Sequence, residues 1–353
     1  MFGLNLFKRG SNKWEERAQK VHENGKRLAG FYHENYLYRS KDNEKFLFRF
    51  PIKGAPNMDP HLFKEADVLP FVEKHGLSAP KLLYRAKDDS FIVEEFVEGI
   101  LVETSHPVGQ DMPAHVLDQI VEFYAQTATM TDFQELFDKR LVKDWPSSGP
   151  MGDFFKAISD VSRGVYQQNK MLRGKELDYI GIPETPYLQM QEMASSLSNR
   201  PWVFIHSDMH RANMIVDGDA RLRPIDWEQA LVGDLVYCFA VHLHISRHDE
   251  QIKADLIRRV KKALPKKFLV GFDKDLEFYL TYEALKSIIT DTVRFPQALR
   301  EEMFSPKKEA ELCLYYSDNL KKIAPLFGNK TPDAGEVLRL FQQWGGNALI
   351  LFA

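Results

Sequence analysis

Three oxygen-bearing side chains lie close together in the second half of the chain: Asp208, Asn213 and Asp226. Their types suit the transfer of a phosphoryl group, which carries its charge on peripheral oxygens and needs an acceptor hydroxyl and a divalent metal held beside it. A carboxylate such as Asp208 can accept the proton of that hydroxyl. An amide and a second carboxylate offer the oxygen ligands that Mg²⁺ prefers. The three residues therefore predict phosphoryl transfer assisted by Mg²⁺.

Short apolar runs around these residues predict the elements that position them. Residues 202–205 are typical of a buried strand, which would deliver Asp208 into the loop at its end. Residues 214–216 and 222–225 predict a hairpin around Gly218, because glycine tolerates the positive φ of a tight turn. Closing this hairpin brings its two open ends together, and the two candidate metal ligands stand at those ends.

Two motifs resemble the catalytic loop and the metal-binding segment of the aminoglycoside phosphotransferase and choline kinase superfamily: His206-x-Asp208-x-x-x-x-Asn213 and Ile225-Asp226-Trp227-Glu228. Members of that superfamily are small-molecule kinases with a protein-kinase-like fold. Protein kinases usually have Arg between the motif His and Asp, and Phe-Gly after the metal-binding Asp. Here Ser207 and Trp227-Glu228 occupy those places. The chain is therefore more similar to a metabolite or antibiotic kinase than to a protein kinase.

The resemblance assigns roles to the motif residues. Asp208 would be the catalytic base, and Asn213 and Asp226 would hold Mg²⁺. His206 would brace the loop by hydrogen bonding. His210 would either approach the transferring phosphate or pack within the loop.

The length of 353 residues exceeds what one core usually fills, and 44% hydrophobic residues provide material for two. The resemblance implies an α+β, protein-kinase-like two-lobed fold, with a small β-rich N-lobe in residues 1–98 and a larger, mainly helical C-lobe in residues 99–353. The apolar patterns predict strands at residues 35–40, 45–50, 81–85 and 91–97, and helices at residues 14–28, 61–74, 152–168, 187–197 and 276–295.

Two residues of the N-lobe are candidates for binding the phosphates of ATP or GTP, and a third could hold one of them in place. Gly30 lies in a segment that resembles the phosphate-covering turn of the superfamily, although a simple turn or helix-ending role competes. Arg49 stands where the superfamily has its phosphate-binding strand cation, and the alternative is an outward-facing strand residue. Glu65 could pair with Arg49 or face solvent, as its neighbour Lys64 does.

Residues 94–99 resemble the hinge between the lobes. An adenine ring needs one backbone carbonyl and one backbone N–H, which by position would come from Glu95 and Val97; an ordinary strand followed by a turn is the alternative. Further along, Gly233-Asp234 resembles a step that braces the catalytic loop, but Cys238 stands where a second Asp is usual. How the following helix is anchored is therefore left open.

The acceptor would bind in the C-lobe. Glu283 and Asp291 belong to a polar stripe on the helix predicted at residues 276–295 and would suit a polyamine; a solvated face with local ion pairs is the alternative. Glu228 could reach the metals, lie at the surface or face the acceptor. His242, His244 and His248 have no carboxylate or cysteine partner at metal-site spacing, so packing or surface positions are expected.

Composition limits the partners and the compartment. A net charge of −3 gives no electrostatic argument for nucleic acid or an acidic membrane. Two cysteines are too few for a disulfide framework, which favours a cytoplasmic setting, and no apolar run is long enough to span a membrane. We expect a monomer or weak dimer.

The sequence predicts an enzyme that moves the γ-phosphoryl of ATP or GTP onto a hydroxyl of a small molecule, with an aminoglycoside-like antibiotic, and hence antibiotic resistance, as the leading interpretation. A kinase of choline, an amino alcohol or a sugar is the main alternative. A catalytically silent nucleotide-binding protein is disfavoured because all three reactive groups are present. A protein kinase is disfavoured because few residues separate Asp226 from Gly233.

Overall fold

The computed structural model of the protein describes residues 4–55 and 58–345. The strands are β1 Lys26–Leu28, β2 His33–Arg39, β3 Lys45–Pro51, β4 Leu82–Arg85, β5 Ile92–Glu95, β6 Ile100–Leu101, β7 Val203–Ile205, β8 Met214–Val216, β9 Leu222–Pro224 and β10 Leu231–Gly233. The helices are α1 Leu4–Asn24, α2 Glu65–Lys74, α3 Val102–Ser105, α4 Ala114–Thr127, α5 Gln134–Phe137, α6 Met151–Ile180, α7 Pro186–Met193, α8 Leu235–Ser246, α9 Glu250–Ala263, α10 Phe272–Arg300, α11 Pro306–Phe327 and α12 Ala334–Gly345.

The first five strands form one antiparallel sheet in the order β1-β2-β3-β5-β4. Side chains alternate between the two faces of a strand, so Phe46 and Phe48 of β3 point one way and Arg49 the other. The two phenylalanines pack with Trp14 of α1, whose ring centroid lies 4.9 Å from that of Phe46. Arg49 therefore faces away from this apolar cluster, towards Glu65 of α2.

The remaining elements form a mainly helical lobe with an extensive apolar core. Strands β7 and β10 pair antiparallel, and the β8–β9 hairpin takes β6 as its third strand. At the start of α8, Asp234 accepts a hydrogen bond from Val236 N–H, and its carboxylate is buried against Arg200 and Tyr279. Arg200 also binds Asp275 of α10. Asp234 thus ties the chain before β7 to two helices, and its bracing of the loop after β7 stays a prediction.

Glycine is required at two joints. Gly99, between β5 and β6, has φ of +153°, and a Cβ there would lie 2.3 Å from the Val216 carbonyl oxygen. A Cβ on Gly233 would lie 2.0 Å from the Phe154 ring. Both backbones therefore approach neighbouring groups more closely than any side chain permits.

Several sequence predictions need correction. The helix predicted at residues 14–28 ends at Asn24, and its last residues form β1. The helix predicted from residue 61 begins at Glu65. The positive φ in the β8–β9 turn belongs to Ala220, at 59°, and not to Gly218. Strand and helix boundaries shift because tertiary pairing overrides local propensity.

The lobe division at residue 98 stays a prediction; it falls between the end of β5 and the start of β6. Within the described residues, no helix combines the length and the apolar character that a membrane span requires.

Candidate active site

The loop after β7 presents Asp208. The two Asn213 Nδ2 hydrogens are directed at Asp208: Nδ2 lies 2.8 Å from Asp208 Oδ2 and 3.0 Å from its carbonyl oxygen. This leaves the Asn213 side-chain oxygen as the atom available to a metal. Ser207 has φ of 57°, a left-handed conformation that turns the chain sharply just before the carboxylate. The loop therefore fixes both the carboxylate and the amide that the motif places together.

The two loop histidines differ in their contacts. His206 is fully buried, and its Nε2 lies 3.0 Å from the carbonyl oxygen of Ile225, which ties the loop to the segment that carries Asp226. His210 Nε2 lies 3.5 Å from Asp208 Oδ1. Burial alone would lower the pKa of His210, but the Asp208 carboxylate outweighs burial and raises it. His210 Nδ1 accepts a hydrogen bond from Ala212 N–H, which leaves Nε2 as the nitrogen that carries a hydrogen towards Asp208.

The β8–β9 hairpin brings Asp226 to the same place. Ile225 N–H donates to the Asn213 carbonyl oxygen at 2.9 Å, so the two ends of the hairpin are joined. Asp226 then adopts a left-handed conformation with φ of 64°. Its side chain is 34% exposed, more than its neighbour Glu228. Asp226 is therefore held at the end of a closed hairpin with its carboxylate accessible.

Arg49 lies among four carboxylates. Its Nη1 is 2.9 Å from Glu65 Oε1 and 3.7 Å from Glu94 Oε1. Its Nη2 is 2.7 Å from Asp226 Oδ1 and 2.9 Å from Glu228 Oε2. One buried guanidinium thus faces up to four negative charges, an excess that protons or a divalent cation must offset.

The donor set suits Mg²⁺. Glu65, Asp226 and Glu228 each offer a carboxylate oxygen, and these atoms lie within 4.8 Å of one another. Hard, oxygen-only ligands are those that Mg²⁺ prefers. Asp226 belongs both to this set and to the predicted pair with Asn213, so the oxygen donors around Asp226 fit Mg²⁺.

Burial and charge shift the pKa values of this cluster. Burial raises the pKa of Glu65 to about 7 against the opposing effect of Arg49. Burial and then the charge of Asp226 raise that of Glu228 to about 7. Burial would also raise the pKa of Asp226, but Arg49 outweighs it and holds the pKa below its usual range. Asp226 is therefore the carboxylate that stays charged.

A cavity of about 690 Å³ opens in front of these groups. Asp208, Asn213 and Asp226 all line it, together with residues of α6, α8 and α10. Tyr187 and Tyr237 contribute aromatic walls. The three reactive groups of the sequence analysis therefore face one space that is large enough for a small molecule.

Comparison with known proteins identifies the family of the chain. Residues 25–265 match the sequence model of APH, a phosphotransferase enzyme family. The chain belongs to this family. An aminoglycoside 3'-phosphotransferase from Streptomyces ribosidificus is 30% identical over 123 residues, which are 31% of this chain and 46% of that protein. The chain thus spans about half the length of this curated relative.

Solved structures of other proteins share the fold of this chain. A choline/ethanolamine kinase family protein from Mesorhizobium loti has a TM-score of 0.52 at 13% identity, over 94% of this chain and 99% of that one. The aminoglycoside phosphotransferase APH(2'')-Ib has a TM-score of 0.52 at 18% identity, over 88% and 98% of the two chains. These likenesses confirm the predicted α+β, protein-kinase-like two-lobed fold.

The two carboxylates of α10, those of Glu283 and Asp291, line the cavity. Each forms an ion pair with a cation of the same helix. Asp291 lies 2.7 Å from Arg294, and Glu283 lies 3.2 Å from Lys286. Both carboxylates are buried, so the alternative of a solvated face is wrong, whereas the local ion pairs of that alternative are present. Burial raises the pKa of Asp291 to about 6 despite the opposing charge of Arg294.

The described residues that line the cavity do not include the nucleotide-site candidates Gly30, Glu95 and Val97. Gly30 is exposed in a turn where a Cβ would lie 2.1 Å from the His33 carbonyl oxygen. Glu95 N–H donates to the Lys81 carbonyl oxygen at 2.9 Å, and its carboxylate binds Arg223. Val97 is buried just after β5. Their predicted nucleotide contacts therefore stay predictions.

Sequence reasoning missed three polar residues of the candidate site. His33 Nδ1 lies 2.5 Å from Glu228 Oε2 and so joins β2 to the segment that carries Asp226 and Glu228. Asp59 lines the cavity and accepts a hydrogen bond from Tyr32 at 2.7 Å. Glu94 is buried beside Arg49. No local motif marks His33 or Asp59, whereas Glu94 could have been found from its cross-strand position near Arg49, since Leu47 is its register partner.

Proposed function

We propose that the protein transfers the γ-phosphoryl group of ATP or GTP to a hydroxyl of a small molecule, most readily an aminoglycoside-like antibiotic. The observation that carries this proposal is that Asp208, Asn213 and Asp226 line one cavity. Phosphoryl transfer requires positioning and charge stabilisation more than covalent chemistry, and these three groups supply both.

Each side chain has a defined part in the proposed reaction. The acceptor hydroxyl gives its proton to Asp208 as its oxygen bonds to the γ-phosphorus, and the bond from that phosphorus to the nucleoside diphosphate breaks. Asn213 and Asp226 would hold Mg²⁺, which when bound neutralises charge on the phosphates. Arg49 would steady the phosphates; its Nη2 already lies 2.7 Å from Asp226 Oδ1. His210 would orient Asp208 through its Nε2, which lies 3.5 Å from Asp208 Oδ1.

Charge within the cavity supports an acceptor that carries amino groups. Beyond the catalytic groups, Asp59, Glu283 and Asp291 face the cations Lys286 and Arg294. Three carboxylates against two cations leave a net negative charge, which attracts a cationic acceptor. The sequence likeness to an aminoglycoside 3'-phosphotransferase points the same way.

Choline or another amino alcohol is the second candidate. Tyr32, Tyr187 and Tyr237 line the cavity, and aromatic faces attract quaternary ammonium groups. The proposed setting is the cytoplasm, where nucleoside triphosphates are available.

A panel assay tests the proposal. The protein is incubated with Mg²⁺ and either ATP or GTP and with aminoglycosides, choline, ethanolamine or sugars, and phosphorylated acceptors are identified by mass spectrometry. We expect a phosphorylated aminoglycoside with the wild-type protein and none with Asp208→Ala. If no acceptor is phosphorylated although nucleotide binds, the silent nucleotide-binding alternative replaces this proposal. A phosphorylated amino alcohol in place of an aminoglycoside would select the second candidate.

A further inference from the structure

Behind the catalytic loop, three buried side chains form a continuous chain of hydrogen bonds: His242, His248 and Arg211. His242 Nδ1 lies 3.0 Å from the Met209 carbonyl oxygen, and His242 Nε2 lies 3.1 Å from His248 Nε2. His248 Nδ1 lies 3.3 Å from Arg211 Nη2. His242 is fully buried, and the other two are at most 7% exposed. Both ends of the chain lie in the catalytic loop, on either side of His210.

The partners at the two ends fix every proton in this chain. A carbonyl oxygen only accepts, so His242 Nδ1 must carry a hydrogen, and a neutral His242 then accepts at Nε2. His248 must therefore donate from Nε2. Its Nδ1 is left to accept from Arg211, which only donates. One arrangement of two neutral rings satisfies these contacts, and Ser246 Oγ, 3.4 Å from His242 Nδ1, can accept from the same hydrogen.

A second proton on either ring would break the chain of hydrogen bonds, because two N–H groups would then face each other. The environment opposes such a proton. Burial, assisted by the charge of Arg211, lowers the pKa of His248 to about 4. Burial and then His248 lower the pKa of His242 well below its ordinary value.

The position of these hydrogen bonds beside the catalytic loop links them to the reaction. His242 and His248 belong to α8 and to the segment after it, while Met209 and Arg211 belong to the loop that presents Asp208. Arg211 Nε also donates to the Ser246 carbonyl oxygen at 2.9 Å. The contacts therefore attach the catalytic loop to α8 from beneath, at residues that follow the base directly.

Cys238 lies on the same helix and offers the loop no charged contact. This residue stands one helical turn before His242, at a position where the resembling superfamily has an Asp. Burial raises the pKa of its thiol to about 11 and keeps the thiol neutral. A neutral thiol is a weak acceptor, so it cannot replace a carboxylate at this position.

We infer that His242 and His248, acting through Met209 and Arg211, are positioning residues that orient Asp208 for phosphoryl transfer. This inference rests on the proposed function for its kinetic consequence but not for its tautomers. Replacing His248 by leucine removes both hydrogen bonds. Glutamine offers one donor and one acceptor on one side chain and can restore them.

The first test is kinetic. His248→Leu is expected to lower kcat by about tenfold to 10²-fold, since small misplacements of reacting groups have effects of that size, while KM for the nucleotide stays unchanged. His248→Gln is expected to recover most of the loss. His115→Gln, an exposed histidine on α4, serves as the control with unchanged kinetics. An unchanged kcat in His248→Leu, or no recovery in His248→Gln, would overturn the inference.

The second test needs no turnover. Nitrogen NMR of the nucleotide-free protein at neutral pH is expected to show His242 with its proton on Nδ1 and His248 with its proton on Nε2. The opposite tautomers, or a doubly protonated ring, would overturn the inference. If the wild-type protein phosphorylates no acceptor, the proposed function fails while this NMR result still decides the arrangement of the chain.

Discussion

At the scale of single residues, the reactivity of Asp208 is set by its two nearest polar neighbours. Asn213 donates to one carboxylate oxygen at 2.8 Å, and His210 lies 3.5 Å from the other. Both contacts direct the carboxylate without occupying all its acceptor positions, because an ionised carboxylate has about four lone-pair sites. Asp208 therefore keeps the capacity to accept a proton from a substrate hydroxyl.

Replacing this carboxylate tests that capacity. Asp208→Asn keeps the shape of the side chain but removes its basicity, so kcat is expected to fall by about 10²- to 10⁴-fold. Nucleotide affinity, measured by calorimetry, is expected to change little because Asp208 faces the acceptor. Asp219→Asn, an exposed substitution in the β8–β9 turn, is the matched control. Turnover retained in Asp208→Asn would exclude this carboxylate as the base.

Residue-level prediction from the sequence succeeds where contacts are local and fails where they are not. Asp208, Asn213 and Asp226 meet in one cavity because a loop and one hairpin connect them. The contact between His33 and Glu228 joins residues 195 positions apart, and no spacing rule reveals it. The pairing of Arg49 with Glu65 stayed open for the same reason, since it depends on how α2 packs against the sheet.

At the scale of elements, Arg49 and its carboxylates join β3, α2 and the segment after β9. Glu65 Oε1 accepts from both Arg49 and Trp227 N–H, each at 2.9 Å, whereas Glu65 Oε2 is buried and lacks a partner among the described residues. A glutamine could therefore accept the same two hydrogen bonds. Glu65→Gln removes the titration while preserving the contacts that join the elements.

This cluster predicts how stability depends on pH. The pKa values of Glu65 and Glu228 rise on folding from 4.5 to about 7, so between these values the folded state holds protons that the unfolded state has lost. Their contribution to the free energy of unfolding therefore falls as pH rises from about 4.5 to about 7, by roughly 3 kcal/mol for each carboxylate. Buried histidines with lowered pKa values, such as His33 and His248, contribute a rise over part of the same range. Urea denaturation of the nucleotide-free wild type and of Glu65→Gln at several pH values isolates the carboxylate contribution as the difference between the two proteins.

Two variants distinguish the contribution of this cluster to the pH dependence from that of the rest of the protein. Relative to the wild type, Glu65→Gln is expected to lose about half of the carboxylate contribution, because Glu65 and Glu228 share it. Glu73→Gln, on the exposed side of the same helix, should leave the wild-type pH dependence unchanged. A pH dependence of Glu65→Gln equal to that of the wild type would contradict the raised pKa of Glu65.

Element types were easier to predict than element ends. The β3 and α10 patterns are long and regular, and both elements appear where their periodicity places them. The end of α1 was misplaced because residues 26–28 pair with β2, a contact between segments that helix propensity does not include. The position of the positive φ in the hairpin turn was misplaced because Asp217 Oδ1 accepts from Asp219 N–H and Arg221 N–H and so shapes the turn itself.

At the scale of the whole molecule, the sheet and the helical lobe meet at the segment that carries Asp226 and Glu228. Arg49 and His33, on neighbouring strands of the sheet, both contact Glu228. Gly99 allows the chain to pass close to β8 where it leaves the sheet. A nucleotide bound between the lobes would add contacts to both, so its binding free energy should stabilise both together.

Thermal unfolding in the presence of nucleotide tests this coupling. At about one hundred times Kd, a ligand that binds only the folded state stabilises it by about 2.7 kcal/mol. We expect Mg²⁺ and ATP together to raise the Tm of a single transition, and EDTA to remove much of the increase. Asp226→Asn is expected to lose the Mg²⁺-dependent part, because it removes the charge at the hairpin end that would hold the cation, whereas Asp219→Asn should keep it. Two separate transitions of which only one responds to nucleotide, or an undiminished Mg²⁺ effect in Asp226→Asn, would refute the coupling of the lobes through this segment.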